Sequence, residues 1–403
     1  MYNRVVITGI GVVSSIGIGK DEFWKNLLAG KSGVSKVTAF DTTNFPTHYG
    51  AEVKDFNPEK FLTKEQRAKM GRASQMALVA GQLALEDAGL DLKKAVKENA
   101  GAVVGTTMAD IRILEDIDDL FIDSRENEIN ASLAYKYSAN NLSETLAREF
   151  GLGGYEVSIP CACAAGNYAI GYAFDLLRMG RLKLMLAGGA DPFSRIAFTG
   201  FSRLRSMATE KCRPFDKNRE GIILGEGAGI VVLELLDDAL KRGAPVYAEV
   251  LGYGLSCDAY HMTAPQFSGI VSAIILALKN ANVNPKEVSY INAHGTGTPV
   301  NDKTECLALR KIFGDHLKKI PVSSSKSMIG HTMGAASALE AIACALAISN
   351  DYVPPTINYE TPDPYCDIDC VPNIYREYKV NIALNNGFAF GGNNACLALK
   401  KWR

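Results

Sequence analysis

The chain has 403 residues, of which 47% are hydrophobic and 22% charged, and its formal net charge is −1. This balance gives no basis for a nucleic-acid or membrane surface, and no apolar run reaches the length of a membrane span. The chain is too long for one ordinary hydrophobic core, so we expect two domains or one large fused unit.

Cysteine usage favours a reducing compartment. The nine cysteines are odd in number and scattered along the chain. Cys366 and Cys370 lie close together, but neither a second pair nor a histidine cluster completes a zinc set, so no metal site is predicted. The first residues lead at once into an apolar run, which predicts no signal or transit peptide. We therefore expect a cytoplasmic protein with free thiols.

Apolar strands alternate with Ala- and Leu-rich helices in the first half of the chain. Runs of β-branched residues without polar breaks are typical of strands buried on both faces. The predicted strands of this kind cover residues 4–13, 100–105 and 184–191, and a run of mixed polar and apolar residues predicts another strand at 155–159. The predicted helices cover residues 74–88 and 164–177. Gly9 and Gly11 lack the third glycine and the immediate helix of a dinucleotide fingerprint, so no phosphate loop is expected.

The second half repeats this order. Its predicted strands cover residues 246–254, 288–295, 322–326 and 382–387, and its predicted helices cover residues 271–280 and 330–347. We infer a duplication into an N-terminal half, residues 1–240, and a C-terminal half, residues 241–403, packed as one structural unit. Apolar strands alternating with helices predict mainly parallel or mixed sheets covered by helices. Function is then expected where the two halves meet.

A candidate nucleophile lies between the predicted strand at 155–159 and the helix that follows it. Cys163 is placed at the N-terminus of that helix, where unpaired N–H groups and the helix dipole favour a thiolate. Small neighbouring side chains leave room for a substrate. The alternative is that Cys161 and Cys163 are two buried small hydrophobic residues, as most cysteines are.

Two of the five histidines are candidates for the same site as Cys163. The other three, His48, His261 and His316, lie in polar segments that suggest no partner. His294 and His331 each follow a predicted buried strand, in stretches rich in glycine and hydroxyl groups. Each alone could be a structural helix cap, but together with Cys163 and Lys326 they fall at strand ends on the same side of the layer, where open α/β sheets place ligands.

The chemistry explains this combination. A thiolate attacks an acyl carbonyl and holds the acyl group as a thioester. Two imidazoles that donate hydrogen bonds stabilise an enolate as a β-carboxylate leaves as CO₂ or bicarbonate, and the resulting carbanion attacks the thioester. Amides of Cys163 and of the Gly-rich loop at 387–392 are expected to form an oxyanion hole. Thr296 and Thr298 offer hydroxyl groups to a polar arm of the substrate.

Several motifs follow one another in a fixed order over nearly the whole chain. They are residues 5–15, 64–70, 161–166, 213–216, 225–229, 292–299, 326–334 with Glu340, and 387–394. In these stretches the chain resembles the elongating β-ketoacyl-[acyl carrier protein] synthases, the KAS II or FabF-like ketosynthases of the thiolase superfamily. The resemblance implies the α/β thiolase fold, with two duplicated βα halves in a five-layer α-β-α-β-α arrangement.

The resemblance also implies an activity. It is the decarboxylative Claisen condensation of an acyl group on Cys163 with malonyl-carrier protein, in fatty acid or type II polyketide or polyene elongation. His294 and His331 serve decarboxylation and condensation, and Lys326 and Glu340 support them. No cofactor is implied beyond the phosphopantetheine of the carrier protein.

Further site residues are implied in the same way. Phe390 matches the family's gating phenylalanine, and its amide matches the second oxyanion donor. Thr296 and Thr298 match the positions that hold the phosphopantetheine arm. Met108 falls at the far end of the acyl pocket, and the remaining candidate substrate-binding residues are Phe201 and Phe388.

Partners follow from the resemblance too. Family carrier proteins are acidic, and basic side chains near the pocket mouth would steer them. The candidates are Lys64, Arg67, Lys69 and Arg205, although an ordinary solvated charged helix is the alternative. Family members dimerise, so we expect a homodimer or a heterodimer with a chain-length-factor-like subunit.

The chain departs from the family pattern at four places. Cys161 after Pro160 replaces the usual Thr, Ala389 replaces a glycine of the gate, and Asn393 replaces a common Thr. Ala389 restricts the backbone, so we expect a gate that moves less easily. With Met108, whose flexible bulk reshapes the pocket, these departures favour secondary metabolism over housekeeping fatty acid elongation.

Two other functions remain open. A biosynthetic thiolase shares the fold, but thiolases use a second cysteine as base where this chain has histidines and a lysine. A non-elongating or decarboxylating subunit, acting in a heterodimer with a chain-length factor, is the other alternative. Retention of Cys163 and both histidines argues against a purely structural subunit.

Overall fold

The computed structural model describes residues 2–90 and 99–403, and all structural statements below concern these residues. The strands are β1 (Val5–Ser14), β2 (Gly17–Ile18), β3 (Ser35–Lys36), β4 (Tyr49–Gly50), β5 (Ala100–Thr106), β6 (Glu156–Pro160), β7 (Leu184–Asp191), β8 (Gly227–Leu235), β9 (Ala248–Cys257), β10 (Tyr290–Asn292), β11 (Val322–Ser323), β12 (Tyr352–Val353), β13 (Arg376–Glu377), β14 (Ile382–Phe388) and β15 (Asn393–Lys400). The α-helices are α1 (Lys20–Leu28), α2 (Lys64–Lys69), α3 (Arg72–Asp87), α4 (Arg112–Ile122), α5 (Ser132–Tyr137), α6 (Asn141–Phe150), α7 (Ala165–Arg178), α8 (Arg195–Arg203), α9 (Leu236–Lys241), α10 (Phe267–Ala281), α11 (Pro299–Phe313), α12 (Lys326–Ile329) and α13 (Ala336–Asn350).

The main sheet contains the same five-strand unit twice. Its strand order is β11-β10-β14-β15-β9-β1-β8-β7-β5-β6, with β2 paired to β1. In one half β8 is antiparallel to β1 and β7, whereas β5 and β6 run parallel to β7. In the other half β15 is antiparallel to β9 and β14, whereas β10 and β11 run parallel to β14. The duplication and the mixed sheet predicted from the sequence are confirmed.

The two halves join where β1 pairs with β9, beginning at the register Val5↔Val250. All ten residues of β1 are buried, as its unbroken β-branched sequence predicts. Because β1 and β9 are the first strand of each repeat, the carboxyl ends of the parallel strands in both halves converge on one region.

Five layers result from helices that cover both faces of each half. Helix α3 packs on β1 and β8 from outside, and α10 packs on β9 and β15. Helices α7 and α13 pack against each other between the two halves of the sheet. The thiolase-like arrangement is therefore present, with α7 and α13 as its middle layer.

One described segment, Met333–Asn350, is long and apolar enough to cross a membrane, and 89% of it is buried inside the protein. It contains α13, whose residues from Ala336 to Ile348 are all buried. The segment therefore has the burial of a core helix in the middle layer.

Two long strands, β8 and β15, were not predicted from the sequence, nor were the two-residue strands β2, β3, β4, β12 and β13. β8 begins within the glycine-rich stretch 225–229, and β15 directly follows the stretch 387–392; the sequence presents both stretches as motifs rather than as strands. Each lies between two antiparallel neighbours, β8 between β1 and β7 and β15 between β9 and β14. The predicted helix at 330–347 begins later than expected, at Ala336, because a turn occupies the residues after His331.

Candidate active site

Cys163 lies on a tight turn between β6 and α7. A one-turn 3₁₀ helix, Ala162–Ala164, joins the two elements, and Ala162 has a positive φ of 47°. A left-handed alanine costs about 1–2 kcal/mol, so the surrounding packing must hold it. The repeat has the same device, since Met333 with φ of 56° opens the 3₁₀ turn before α13.

The turn faces a cavity of about 230 Å³ between the two halves. Nine of the side chains predicted to form the site line this cavity. They are Cys163, Phe201, Arg205, His294, Thr296, Thr298, His331, Phe388 and Phe390. The structure thus brings together residues from five separated stretches of sequence.

The backbone amides of Cys163 and Phe390 are near enough to the Cys163 sulfur to lower its pKa. These are the two donors expected for an oxyanion hole. The side chain is 4% exposed. Burial raises the pKa of the thiol to about 12, against the lowering effects of Lys326 and the two amides. Desolvation therefore opposes the thiolate that the helix N-terminus favours, and the protonated thiol is the preferred resting form.

The two histidines meet edge to face, with ring centroids 5.7 Å apart. His331 Nδ1 accepts a hydrogen bond from the Met333 amide at 3.1 Å. Burial, followed by the Lys326 charge, lowers the pKa of both imidazoles well below the ordinary value. A neutral His331 that accepts at Nδ1 must carry its proton on Nε2, so it is a hydrogen-bond donor from that atom.

Lys326 is buried behind the histidines and does not line the cavity. Its Nζ donates to Glu340 Oε1 at 2.5 Å and to the His294 carbonyl at 2.8 Å, and lies 3.4 Å from His294 Nδ1. An ammonium can only donate, so this contact too assigns the His294 proton to Nε2. Burial raises the pKa of Glu340 to about 7 even though Lys326 lowers it.

The loop that carries His294 is held by carboxylates of α11. Glu305 accepts the amides of His294 and Gly295, each at 2.9 Å. Thr298 caps α11, and its hydroxyl lies 2.9 Å from that of Thr296. The two hydroxyl groups therefore stand side by side on the cavity wall.

Phe390 stacks near Phe201, with ring centroids 5.3 Å apart. The loop is attached to the opposite wall, since Gly391 N donates to Met262 O at 2.8 Å. Ala389 adopts φ −105° and ψ 154°, an extended conformation that any residue accepts. In this position of the loop the alanine is unstrained, and whether it slows the gate stays a prediction.

Met108 is not among the cavity-lining residues. It packs, with Phe201, against a buried cluster that includes Phe193, Phe198 and Met333. Met108 and Phe201 thus share one cluster beside the cavity, and a place for Met108 at the far end of the acyl pocket stays a prediction.

The four basic candidates are split. Arg205 is exposed and lines the cavity, whereas Lys64, Arg67 and Lys69 lie on α2. Arg67 forms an ion pair with Glu59 at 2.7 Å. Only one of the four therefore reaches the cavity, and the other three form a separate basic helix.

Pro160 and Cys161 have a plain structural setting. Pro160 ends β6, an edge strand where a missing N–H is tolerated. Cys161 is half-buried beside the Tyr168 hydroxyl. Asn393, the other polar departure, opens β15 opposite Cys257.

Three site residues were missed by sequence reasoning. His261 lines the cavity, although its loop suggested no partner. Glu305 and Asp191 are buried carboxylates that hold site backbone. A carboxylate at the end of an apolar strand, as in the run ending at Asp191, is a signal that would have found one of them.

Comparisons with known proteins identify the family of this chain. Residues 2–239 match the family model "Beta-ketoacyl synthase, N-terminal domain", and residues 247–360 match "Beta-ketoacyl synthase, C-terminal domain". The chain belongs to the β-ketoacyl synthase family, whose members are acyltransferases. The resemblance inferred from the sequence is confirmed.

Relatives and solved structures cover the full length. The chain is 41% identical to 3-oxoacyl-[acyl-carrier-protein] synthase 2 of Synechocystis sp. over 99% of this chain and 98% of that protein. It is 41% identical to the Coxiella burnetii enzyme of the same name, with the same coverage. A structure titled "The ishigamide ketosynthase/chain length factor" is 45% identical with a TM-score of 0.97, covering 100% of both chains. A type II polyketide ketosynthase described with its acyl-carrier protein is 33% identical with a TM-score of 0.92, again covering 100% of both.

Proposed function

We propose that this chain is a β-ketoacyl-[acyl carrier protein] synthase that condenses an acyl group on Cys163 with malonyl-carrier protein. The observation that carries the proposal is the convergence of Cys163, His294 and His331 on one cavity. The amides of Cys163 and Phe390 near the sulfur and two neutral imidazoles with Nε2–H groups supply the donors that the reaction needs.

The first half-reaction exchanges two thiols. The Cys163 sulfur attacks the acyl thioester, and the amides of Cys163 and Phe390 stabilise the oxyanion. The carrier thiolate leaves and takes up a proton as Cys163 loses one. Because the exchange is proton-neutral overall, a high resting pKa of Cys163 does not prevent it.

The second half-reaction forms the carbon–carbon bond. His294 and His331 donate hydrogen bonds to the malonyl thioester oxygen while the carboxylate leaves as CO₂. The enolate carbon attacks the acyl thioester, and the Cys163 thiolate leaves and is reprotonated. No cofactor takes part in this proposal besides the phosphopantetheine arm, which Thr296 and Thr298 would hold.

Labelling separates the two half-reactions. With acyl-carrier protein, we expect one acyl group on Cys163, detected by peptide mass spectrometry. Cys163→Ala should abolish acylation while malonyl-carrier decarboxylation persists, because the histidines remain. Cys161→Ala, a matched change two residues away, should still be acylated. A wild-type protein that takes no acyl group at Cys163 would contradict the proposal.

The carrier protein is proposed to dock near α2 and the cavity mouth. Exposed Lys64 and Lys69 on α2 have the charge to bind an acidic partner. Residues 108–137 contain eight acidic and three basic residues, so this segment would repel such a partner. The double variant Lys64→Glu, Lys69→Glu should raise the KM for a substrate carried by the carrier protein but not for a carrier-free thioester. Lys241→Glu, an exposed lysine on α9, is the control. Equal effects of both changes would remove α2 from the docking surface.

Secondary metabolism is the second candidate setting. The 45% identity to a ketosynthase solved with a chain length factor favours a type II polyketide or polyene pathway, in which this chain would be the catalytic subunit of a heterodimer. The alternative is a decarboxylating subunit that does not elongate. We expect condensation products from the chain with its partner; acylation without any product would favour the alternative. Cytoplasmic location is part of the proposal.

A further inference from the structure

Asp191 is a buried carboxylate at the end of β7 to which the reaction above gives no role. It is 1% exposed. All four of its hydrogen bonds come from uncharged donors: the Thr106 hydroxyl at 2.7 Å and the amides of Thr107 at 2.8 Å, Met108 at 3.0 Å and Gly334 at 2.6 Å. A charge buried in this way is costly and persists only where several donors are fixed around it.

These donors belong to two different segments of the site. Thr106, Thr107 and Met108 form the loop after β5, whereas Gly334 belongs to the turn after His331. Oδ2 accepts from Thr107 and Gly334 at once, so a single oxygen atom joins the two segments. The backbones of the two segments are also packed closely together. A Cβ atom added to Gly334 would lie only 2.5 Å from the Thr106 carbonyl carbon.

Gly334 directly follows Met333, whose backbone amide orients His331. Met333 N donates to His331 Nδ1, and Gly334 N donates to Asp191. Met333 has a positive φ of 56°, which is unfavourable for a non-glycine residue. The hydrogen bond from Gly334 is therefore one of the contacts that hold this turn in a conformation in which His331 Nδ1 is an acceptor.

We propose that Asp191 is a positioning residue for His331, acting through the Met333–Gly334 backbone. This inference rests on the proposed decarboxylating role of His331. By fixing the turn, Asp191 keeps the His331 proton on Nε2 and the ring aimed into the cavity. It also ties the turn to the Met108 loop, so the two sides of the site keep one spacing.

Asp110 provides a matched control. It is likewise buried, at 1% exposure, and accepts the Ala73 amide at 2.7 Å, the Ser74 amide at 3.1 Å and the Ser74 hydroxyl at 2.5 Å. Its donors are at the start of α3 and not in the His331 turn. Asp110→Asn therefore removes a comparable buried carboxylate without touching His331.

The test compares half-reactions in Asp191→Asn. The amide nitrogen cannot accept, so the shared contact to Thr107 and Gly334 or the contacts to Thr106 and Met108 must be lost. We expect kcat for malonyl-carrier decarboxylation to fall tenfold or more with KM unchanged, while acylation of Cys163 stays within about twofold. Both rates are divided by the amount of protein whose Cys163 can be acylated, so that unfolded protein does not lower them.

Asp191→Glu is the second variant. If Asp191→Asn does not fold, the ratio of the decarboxylation rate to the acylation rate is measured in Asp191→Glu instead. Asp110→Asn should leave the ratio of the two half-reactions at the wild-type value. An unchanged ratio in the Asp191 variants, or loss of both half-reactions together, overturns the inference. Failure of the wild-type protein to decarboxylate or condense would instead reject the proposed function.

Discussion

At the scale of single residues, the state of Cys163 results from two opposed effects. A helix N-terminus contributes typically 0.3–1 kcal/mol, or less than about one pKa unit. Full burial shifts a pKa by up to about 3–5 units. The pKa raised to about 12 follows from this difference in size. Cys163 is thus a protonated thiol at rest whose reactivity depends on what enters the cavity.

Alkylation of Cys163 should therefore depend steeply on pH. A raised pKa means that the thiolate fraction grows as pH rises and does not level off below the pKa. We expect the rate with iodoacetamide to increase about tenfold per unit from pH 7 to pH 10, without a plateau. The measurement is the alkylated Cys163 peptide over time, with N-acetylcysteine as the reference thiol. A plateau near pH 7 would show a resting thiolate instead.

Met108 allows a second prediction at this scale. Its side chain and Phe201 pack against the same aromatic cluster, so truncation opens space beyond the cavity. Met108→Ala should let Cys163 retain longer acyl chains, measured by mass spectrometry of the trapped acyl groups. Met207→Ala removes the same side chain elsewhere on this cluster and is the control. An equal shift in both variants would indicate general loosening rather than a pocket end at Met108.

At the scale of elements, the middle layer sets the distance between the two halves. Helices α7 and α13 approach so closely that a Cβ on Gly166 would overlap the Ala338 backbone nitrogen. Small residues at the first turns of both helices permit this contact. Because Cys163 precedes α7 and His331 precedes α13, the spacing of these helices also sets the spacing of the site.

Two glycine-to-alanine changes test this spacing. Gly166→Ala should lower the free energy of unfolding by roughly 1–3 kcal/mol, since the methyl group forces backbone apart. Gly200, on α8, has no atom within 4 Å of its Cβ position. Gly200→Ala should raise the stability by up to about 1 kcal/mol through helix propensity. Urea unfolding followed by circular dichroism gives both values, and similar effects of the two changes would refute close packing at Gly166.

At the scale of the whole molecule, β6 is an open edge of the main sheet. Its five residues are only half-buried or exposed, whereas β11 at the opposite edge is buried. Tyr155, next to β6, is 50% exposed. An uncovered edge strand with an apolar neighbour is a surface that proteins usually cover with another chain. We expect the partner subunit, identical or not, to pair here.

Association should respond to a charge at this edge. Native mass spectrometry of the chain alone or with its partner subunit should detect assemblies of two chains, this one contributing 43.4 kDa. Tyr155→Arg should weaken association tenfold or more, because a charge would be buried in the interface. Tyr260→Arg changes another exposed tyrosine, 70% exposed and distant in sequence, and should leave association unchanged. If both variants associate as the wild type does, the interface lies elsewhere.

Much of the site could be read from the sequence, for a physical reason. Cys163, His294 and His331 each follow a predicted strand, and strand ends in a duplicated α/β unit fall on one side. The strands β8 and β15 could not be read in this way. Glycine-rich motifs lead into them, and a glycine's place in a strand depends on neighbours that are remote in sequence.

The sequence by itself determined the duplication and the family, and it predicted the nucleophile and the histidines, because motif spacing and apolar periodicity are local properties. Only the tertiary structure decided the protonation states of the site residues and the contacts that hold them in place. The neutral imidazoles and the protonated thiol depend on burial in the packed interior, and the tie through Asp191 depends on a contact between residues 143 positions apart. Desolvation is a property of the packed interior, so no stretch of sequence around Cys163 contains it.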